Sequence, residues 1–257
     1  MADRKVALIT GSGTGVGAAL ALMLAQRGWN VLINYSRSET EARATEAAAQ
    51  SAGADTLLVQ ADVAVDADCV KLAQAALAKW GRIDALVNNA GVTDFGGLSN
   101  WAALDAEKFQ RIYAVNTVGT FQMVRACVEA LKAARGSVVN VSSMAGISGA
   151  GSSVPYILSK GALNTLTLHL ARQLAPEIRV NAVCPGLISS RWFTDGLGEA
   201  AFEKIKATSQ QLSPLETTTT PEDVADAIFW LLTGARTVTG ELLKVDAGMH
   251  LTKAMRR

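Results

Sequence analysis

Tyr156 and Lys160 stand four residues apart in the stretch Pro155-Tyr156-Ile157-Leu158-Ser159-Lys160. On a helix that spacing puts a phenol and an ammonium on one face. A free phenol has a pKa near ~10, too high for ready proton exchange at neutral pH. A neighbouring ammonium favours the phenolate, so Tyr156 is expected to have a lowered pKa and to trade a proton with a carbonyl or alcohol oxygen. Upstream, at the end of the apolar run Val138–Val141, stand Ser142 and Ser143. A hydroxyl there can donate to an oxygen on which negative charge develops.

A second chemistry lies near the N-terminus. VALITGSGTGVGAALALMLAQRG reads as a strand, a glycine turn and a helix, with Gly11, Gly13, Gly15 and Gly17 crowding the turn. Such glycines let the backbone approach an anion at a helix N-terminus, where unpaired N–H groups and the helix dipole favour negative charge. In a βαβ context the fitting anion is a dinucleotide pyrophosphate. Ser12, Thr14 and Val16, between the glycines, belong to the same expected contact. At the end of the second strand an acid would hold a ribose 2′-hydroxyl and repel a 2′-phosphate. The chain there reads Asn34-Tyr35-Ser36-Arg37-Ser38, without an acid. Arg37 offers a planar fork to a phosphate, so Tyr35, Ser36 and Arg37 favour NADP(H) over NAD(H).

These groups need a scaffold. Short apolar runs at Val6–Ile9, Val31–Asn34, Leu57–Val59, Ala85–Val87, Val138–Val141, Val180–Val183 and Leu242–Val245 read as strands covered on both faces. Helix-length stretches separate them. Gly28, Gly53, Gly81 and Gly136 are placed to close helices in the left-handed conformation. Ser38-Glu39-Thr40-Glu41 reads as a capping box, and Thr220-Pro221-Glu222-Asp223 as a hydroxyl N-cap followed by Pro at N1. The alternation predicts an α/β fold: one doubly wound, Rossmann-type domain over residues 1–257, with a seven-stranded parallel sheet and helices on both faces. Ligands of such sheets bind at the carboxyl ends of the strands, where Ser143 falls.

The segment 187–214 lacks a strand pattern and carries Trp192, Phe193 and Phe202, as a lid that excludes water would. Gly149–Val154 and Thr93–Phe95 are expected to line the same mouth. Those two segments hold no Arg or Lys, so a strongly anionic substrate has no counter-ion in them; Arg191, in the lid, is the exception.

Composition narrows the classes. A net charge of +1 gives no reason to expect a nucleic acid or an anionic membrane as partner. Three widely spaced cysteines and two isolated histidines make neither a disulfide framework nor a metal site. No apolar run is long enough for a membrane span, and MADRKVALIT does not read as a signal peptide, so a cytoplasmic location is expected.

Taken together and in order, these residues resemble the classical short-chain dehydrogenase/reductase family almost end to end. Thr10-Gly11-x-x-x-Gly15-x-Gly17 is similar to that family's cofactor turn, and Asp62-Val63 to the pair whose Asp holds the adenine. Asn88-Asn89-Ala90-Gly91 resembles its NNAG segment. Asn116, Ser143, Tyr156 and Lys160 match its catalytic tetrad. Pro185-Gly186, the backbone of Ile188, and Ser190 in place of the usual Thr resemble its carboxamide clamp. Thr239-Gly240 and Asp246-Ala247-Gly248 match its C-terminal segment. The resemblance implies that Lys160 also holds the nicotinamide ribose and that Asn116 anchors a water passing protons to it. Thr14 stands where many NADP-using members carry a basic residue, which leaves Arg37 to carry the NADP preference.

The activity so implied is NAD(P)-dependent interconversion of a small-molecule carbonyl and a secondary alcohol. A reductase of 3-oxoacyl groups on acyl carrier protein, a sugar or polyol dehydrogenase, and a pterin or quinone reductase are variants of it. A non-catalytic NADP(H)-sensing protein is the reading from another class, and the intact tetrad argues against it. The helix from Pro155 to Leu174 has small and apolar residues on more than one face. With the family's habit of assembling through this helix, that predicts a homotetramer.

Overall fold

This computed structural model describes residues 4–95 and 101–251. Its strands are β1 (Val6–Ile9), β2 (Asn30–Tyr35), β3 (Thr56–Gln60), β4 (Ala85–Asn88), β5 (Ser137–Val141), β6 (Arg179–Pro185) and β7 (Leu242–Val245). The helices, in chain order, are α1 (Gly15–Gln26), α2 (Glu39–Ser51), α3 (Asp66–Trp80), α4 (Ala106–Tyr113), α5 (Gly119–Ala134), α6 (Ala145–Ser148), α7 (Val154–Leu174), α8 (Arg191–Leu197), α9 (Glu199–Leu212) and α10 (Pro221–Thr233). A π-helical turn, Ala114–Val118, joins α4 to α5.

The seven strands form one sheet in the order β3-β2-β1-β4-β5-β6-β7, every pair parallel. The order turns back at β1, whose neighbours are β2 on one side and β4 on the other. That reversal opens a crevice at the carboxyl ends of β1 and β4, where the glycine turn and Asn88–Gly91 emerge.

Strand residues alternate between two cores. Ala7, Ile9, Val31, Ile33, Val87 and Val139 pack with Leu20 and Leu24 of α1, Ala42 and Ala49 of α2, and Ile228 and Leu231 of α10. Leu8, Leu32, Leu86 and Val138 face the other way, against Leu72 of α3, Met123 and Leu131 of α5, and Leu170 of α7. Burying each large side chain stabilises the fold by roughly 1.5–3 kcal/mol.

Two local expectations are corrected. Gly136 does not close α5 in the left-handed region: Arg135 takes that conformation, at φ 49°. Gly136 is required for closeness instead, since a Cβ there would lie 2.5 Å from the carbonyl oxygen of Asp84. Ser38 does stand at the N-cap of α2, but its side chain makes no capping bond. Glu41, the expected partner in that box, reaches Arg191 instead. The box at Thr220 and Asp223 forms as expected.

Candidate functional site

The glycine turn is held from below. The Asn89 amide donates to the carbonyls of Thr10 (2.9 Å) and Gly11 (2.8 Å). The N–H groups of Asn89 and Ala90 both donate to the Thr10 hydroxyl. Asn34 Oδ1 accepts from the N–H of Gly11. This closeness explains the glycines: a Cβ on Gly11 would lie 2.9 Å from Ala90 Cα, and one on Gly17 only 2.6 Å from Asn89 Nδ2. Ser12 is buried, with its hydroxyl donating to Ile9 and accepting from Asn34, and its N–H donating to Asn34. Its polar groups therefore work within the fold.

The upper side of the turn is different. At Gly15 (φ 55°) a Cβ would meet nothing within 4 Å. Thr14, the N-cap of α1, makes no side-chain capping bond, and the first turn, including Val16, contains no acid. A helix start arranged this way suits an anion.

Beyond β2 and β3 an open groove of about 310 Å³ is lined by Ser36, Arg37, Gln60, Ala61, Asp62, Asp68 and Lys71. Asp62 Oδ1 accepts from the Ala64 N–H, which fixes its carboxylate at the rim. Val63 is buried against the start of α5, where a Cβ on Gly119 would lie 2.7 Å from its carbonyl oxygen. Tyr35 is also buried, in the core beneath α2. The turn and groove together fit a dinucleotide: an uncapped helix start for phosphates, and a polar pocket with two cations, Arg37 and Lys71, and two carboxylates, Asp62 and Asp68, for the adenosine end.

At the other end of the crevice, α7 starts from Ser153, whose hydroxyl accepts from the Tyr156 N–H, with Pro155 in the first turn. Tyr156 and Lys160 thus share one face, with Lys160 Nζ 5.7 Å from the centre of the Tyr156 ring. That nitrogen donates to the Val141 carbonyl at 2.8 Å. Asn116 lies in the π-turn, a distortion common at functional sites. Its Nδ2 donates to Val92 O and Ser159 Oγ, while its Oδ1 accepts from the Val92 N–H. A Cβ built on Gly91 would lie 3.5 Å from Asn116 Oδ1 and 3.8 Å from Lys160 Nζ, so both groups converge there. Ser142 is buried and donates to Asn164, whereas the Ser143 hydroxyl accepts from the Ala145 N–H and bonds Tyr156.

The expected lowering of the Tyr156 pKa is not found. Burial raises it, a hydrogen bond from Ser143 opposes the rise, and Cys184 adds to it. Burial instead acts on Lys160, pushing its ammonium down to about 8. Desolvation is the largest effect on each group.

The clamp residues cluster at the end of β6. Gly186 donates to Val245 O, and a Cβ on it would lie 2.8 Å from Asp246 Cβ. The Pro185 carbonyl accepts from the Met144 N–H. Ile188 bridges to Thr219, and Ser190 opens α8 without a side-chain capping bond. From there the chain runs into α8 and α9. Phe95 meets Trp192 and Phe193 edge-on, and Phe193 stacks on Phe202, so these aromatics form a small core of their own.

Several contributors went unread in the sequence: Ser159 and Asn164, which hold Asn116 and Ser142, and Lys71 in the groove. On α7, Ser159 is three residues after Tyr156 and Asn164 four after Lys160, and small polar residues at helical spacing were the available signal. Among the described residues no cluster could hold a metal ion, and no helix is long and apolar enough to cross a membrane.

A family model described as enoyl-(acyl carrier protein) reductase matches residues 11–250. A Streptomyces violaceoruber protein named as ketoacyl reductase 2 of the granaticin polyketide synthase is 42% identical over 250 residues, covering 97% of each chain. The 3-oxoacyl-acyl-carrier-protein reductase of Staphylococcus aureus is 33% identical, covering 96% of this chain and 98% of its own. A crystal structure from Burkholderia xenovorans, named as a short-chain dehydrogenase/reductase, superposes with a TM-score of 0.90 at 39% identity, covering 98% of this chain and all of its own. With its parallel seven-stranded sheet and these relatives, the chain belongs to the short-chain dehydrogenase/reductase family of NAD(P)-dependent oxidoreductases.

Proposed function

We propose that the protein is an NADP(H)-linked ketoreductase that interconverts a carbonyl and a secondary alcohol, with Tyr156 as general acid/base. The observation that carries this reading is the meeting of Tyr156, Ser143, Lys160 and Asn116 at the carboxyl ends of β4 and β5, in the crevice that begins at the glycine turn. When bound, the nicotinamide supplies or accepts the hydride; the protein supplies orientation and the proton.

Tyr156 gives its proton to the carbonyl oxygen in reduction. The phenol is protonated at neutral pH, the form that reduction needs, although burial makes it a weaker acid than a free phenol. Ser143 donates to the same oxygen as charge develops. Lys160 and Asn116 hold the proton path behind the phenol, and Lys160 also holds the nicotinamide ribose. Gly11, Thr14, Gly15, Val16 and Gly17 cradle the pyrophosphate, with Ser12 shaping the turn. Asp62 and Val63 hold the adenine, and Asn89, Ala90 and Gly91 flank the riboses. Pro185, Gly186, Ile188 and Ser190 clamp the carboxamide. Arg37, with Ser36 and the backbone of Tyr35, selects the 2′-phosphate.

The named relatives support a 3-oxoacyl group or a related ketone as substrate over a sugar or polyol. The chain acts as one catalytic unit over residues 1–257 with a lid at 187–214. It works in the cytoplasm, in keeping with three buried cysteines that form no disulfide. Val118, Phe121, Leu158 and Leu168 expose apolar surface on the helices that would build a homotetramer, and a monomer mass by light scattering would refute that assembly.

The test is turnover of NADPH and NADH with 3-oxoacyl thioesters, ketones, quinones, sugars and 2-enoyl thioesters, followed by the absorbance of the reduced nicotinamide. NADPH-dependent reduction of a ketone or 3-oxoacyl thioester is expected. Activity confined to 2-enoyl thioesters, or to NADH, would overturn the reading.

A further inference from the structure

Two neighbouring residues at the start of α8 reach in different directions across the crevice. Arg191 Nη1 meets Glu41 Oε1 at 2.8 Å, a contact spanning 150 residues of sequence. Glu41 belongs to the first turn of α2, and the next residue, Ala42, packs on the glycine turn: a Cβ on Gly13 would lie 3.1 Å from Ala42 Cβ. The ion pair therefore ties the lid to the wall of the pyrophosphate turn. A second contact, to Asp195 at 3.5 Å, holds the same guanidinium to α8.

Trp192, still 38% exposed, points its ring edge toward the crevice. Its Cη2 lies 3.9 Å from the point where a Cβ of Gly91 would be, the point that Asn116 Oδ1 and Lys160 Nζ approach to 3.5 and 3.8 Å. Its other side is braced by Phe95, which packs so tightly on α8 that a Cβ on Gly196 would lie 2.1 Å from it. The indole edge thus reaches Gly91, in the segment proposed to flank the riboses.

We propose that the first turn of α8 is a two-point latch, Arg191 on Glu41 and Trp192 against Gly91, which closes the crevice and must release before a dinucleotide can enter. The proposal rests on the dinucleotide reading above. A ligand that binds only the open form has its apparent affinity reduced by the fraction of molecules that are open. Weakening the latch should therefore tighten binding.

Arg191→Gln separates this from simple attraction. Removing a cation beside a phosphate site ordinarily weakens binding of a polyanion. If the cation instead holds a latch shut, removing it strengthens binding. NADPH titration, followed by nicotinamide fluorescence, should give a dissociation constant about two- to fivefold lower for Arg191→Gln, the range set by a single exposed ion pair. Glu41→Gln should match it, and the double variant should add little, since both changes break one contact. Trp192→Ala should tighten binding as well, with a circular-dichroism melt confirming that the sheet remains folded. An unchanged or higher dissociation constant for Arg191→Gln would overturn the latch while leaving the dinucleotide reading intact. Wild-type protein that binds neither NADPH nor NADH would overturn that reading and the latch with it.

Discussion

Lys160 Nζ lies 5.7 Å from the centre of the Tyr156 ring and donates to the Val141 carbonyl, so the lysine is anchored to the end of β5 rather than to the phenol. The strand thereby positions the amine, and α7 positions the tyrosine. Just past the end of β5, Ser143 meets Tyr156.

The buried amine makes a pH signature. Burial pushes Lys160 down to about 8, against an ordinary value of 10.5. Between those values the unfolded chain holds a proton that the folded protein has lost. Wild-type stability therefore gains with rising pH across that window relative to a variant without the amine. Denaturant midpoints of wild type and Lys160→Met, measured from pH 7 to 10, should show the difference shifting in favour of wild type as pH rises. A difference that is flat or moves the other way would remove the account of a desolvated lysine.

Two glycines of the site should respond in opposite ways to alanine. At Gly17 the new methyl would collide with Asn89 Nδ2 and with the backbone of Ser12 at 2.7 Å. Gly17→Ala should cost about 1–3 kcal/mol of stability by overpacking. At Gly91 no neighbour comes closer than 3.5 Å. Gly91→Ala should melt near wild type yet lose turnover, because its methyl enters the space between Asn116 and Lys160. Thermal melts and steady-state rates on the two variants check this pair.

Ser159 should matter through Asn116. Its hydroxyl accepts from Asn116 Nδ2 and donates to the Tyr156 carbonyl. Ser159→Ala removes that acceptor from a buried amide, at a cost of about 1–3 kcal/mol. A destabilisation well under that range, read from denaturant unfolding, would show that Val92 alone satisfies Asn116.

Much of this was legible in the sequence, and for identifiable reasons. Strands such as Val6–Ile9 and Val31–Asn34 are readable because burial on both faces demands an apolar residue at nearly every position, whereas Leu242–Val245, at the sheet edge, is only half-buried with Lys244 exposed. The glycine turn was readable because its backbone contacts tolerate no Cβ. What stayed hidden depends on partners distant in sequence. Spacing alone puts Glu41 in a cap, because Ser38 stands three residues before it; only the fold brings Arg191 within reach. Gly136 was assigned a left-handed turn, but the approach of Asp84 from β4 is what excludes a side chain there. The Tyr156 pKa was misread because spacing reveals the neighbouring charge but not the desolvation that outweighs it. Trp192 was placed in a lid, yet nothing local to it shows that its edge meets Gly91.

The proposed NADP(H) preference rests on Arg37. Arg37 lines the groove beside Ser36, at the end of β2 where no acid stands. Arg37→Ala should raise KM for NADPH about tenfold, the loss of one charge-assisted bond, and leave KM for NADH nearly unchanged. Equal effects on the two cofactors would show that Arg37 does not read the 2′-phosphate.

The most direct test is Tyr156→Phe, which keeps the ring and its packing and deletes the one exchangeable proton. Turnover should fall by about 10²- to 10⁴-fold while NADPH binding, measured by fluorescence titration, stays at the wild-type value. Turnover close to wild type with binding intact would contradict the assignment of this phenol as the proton donor.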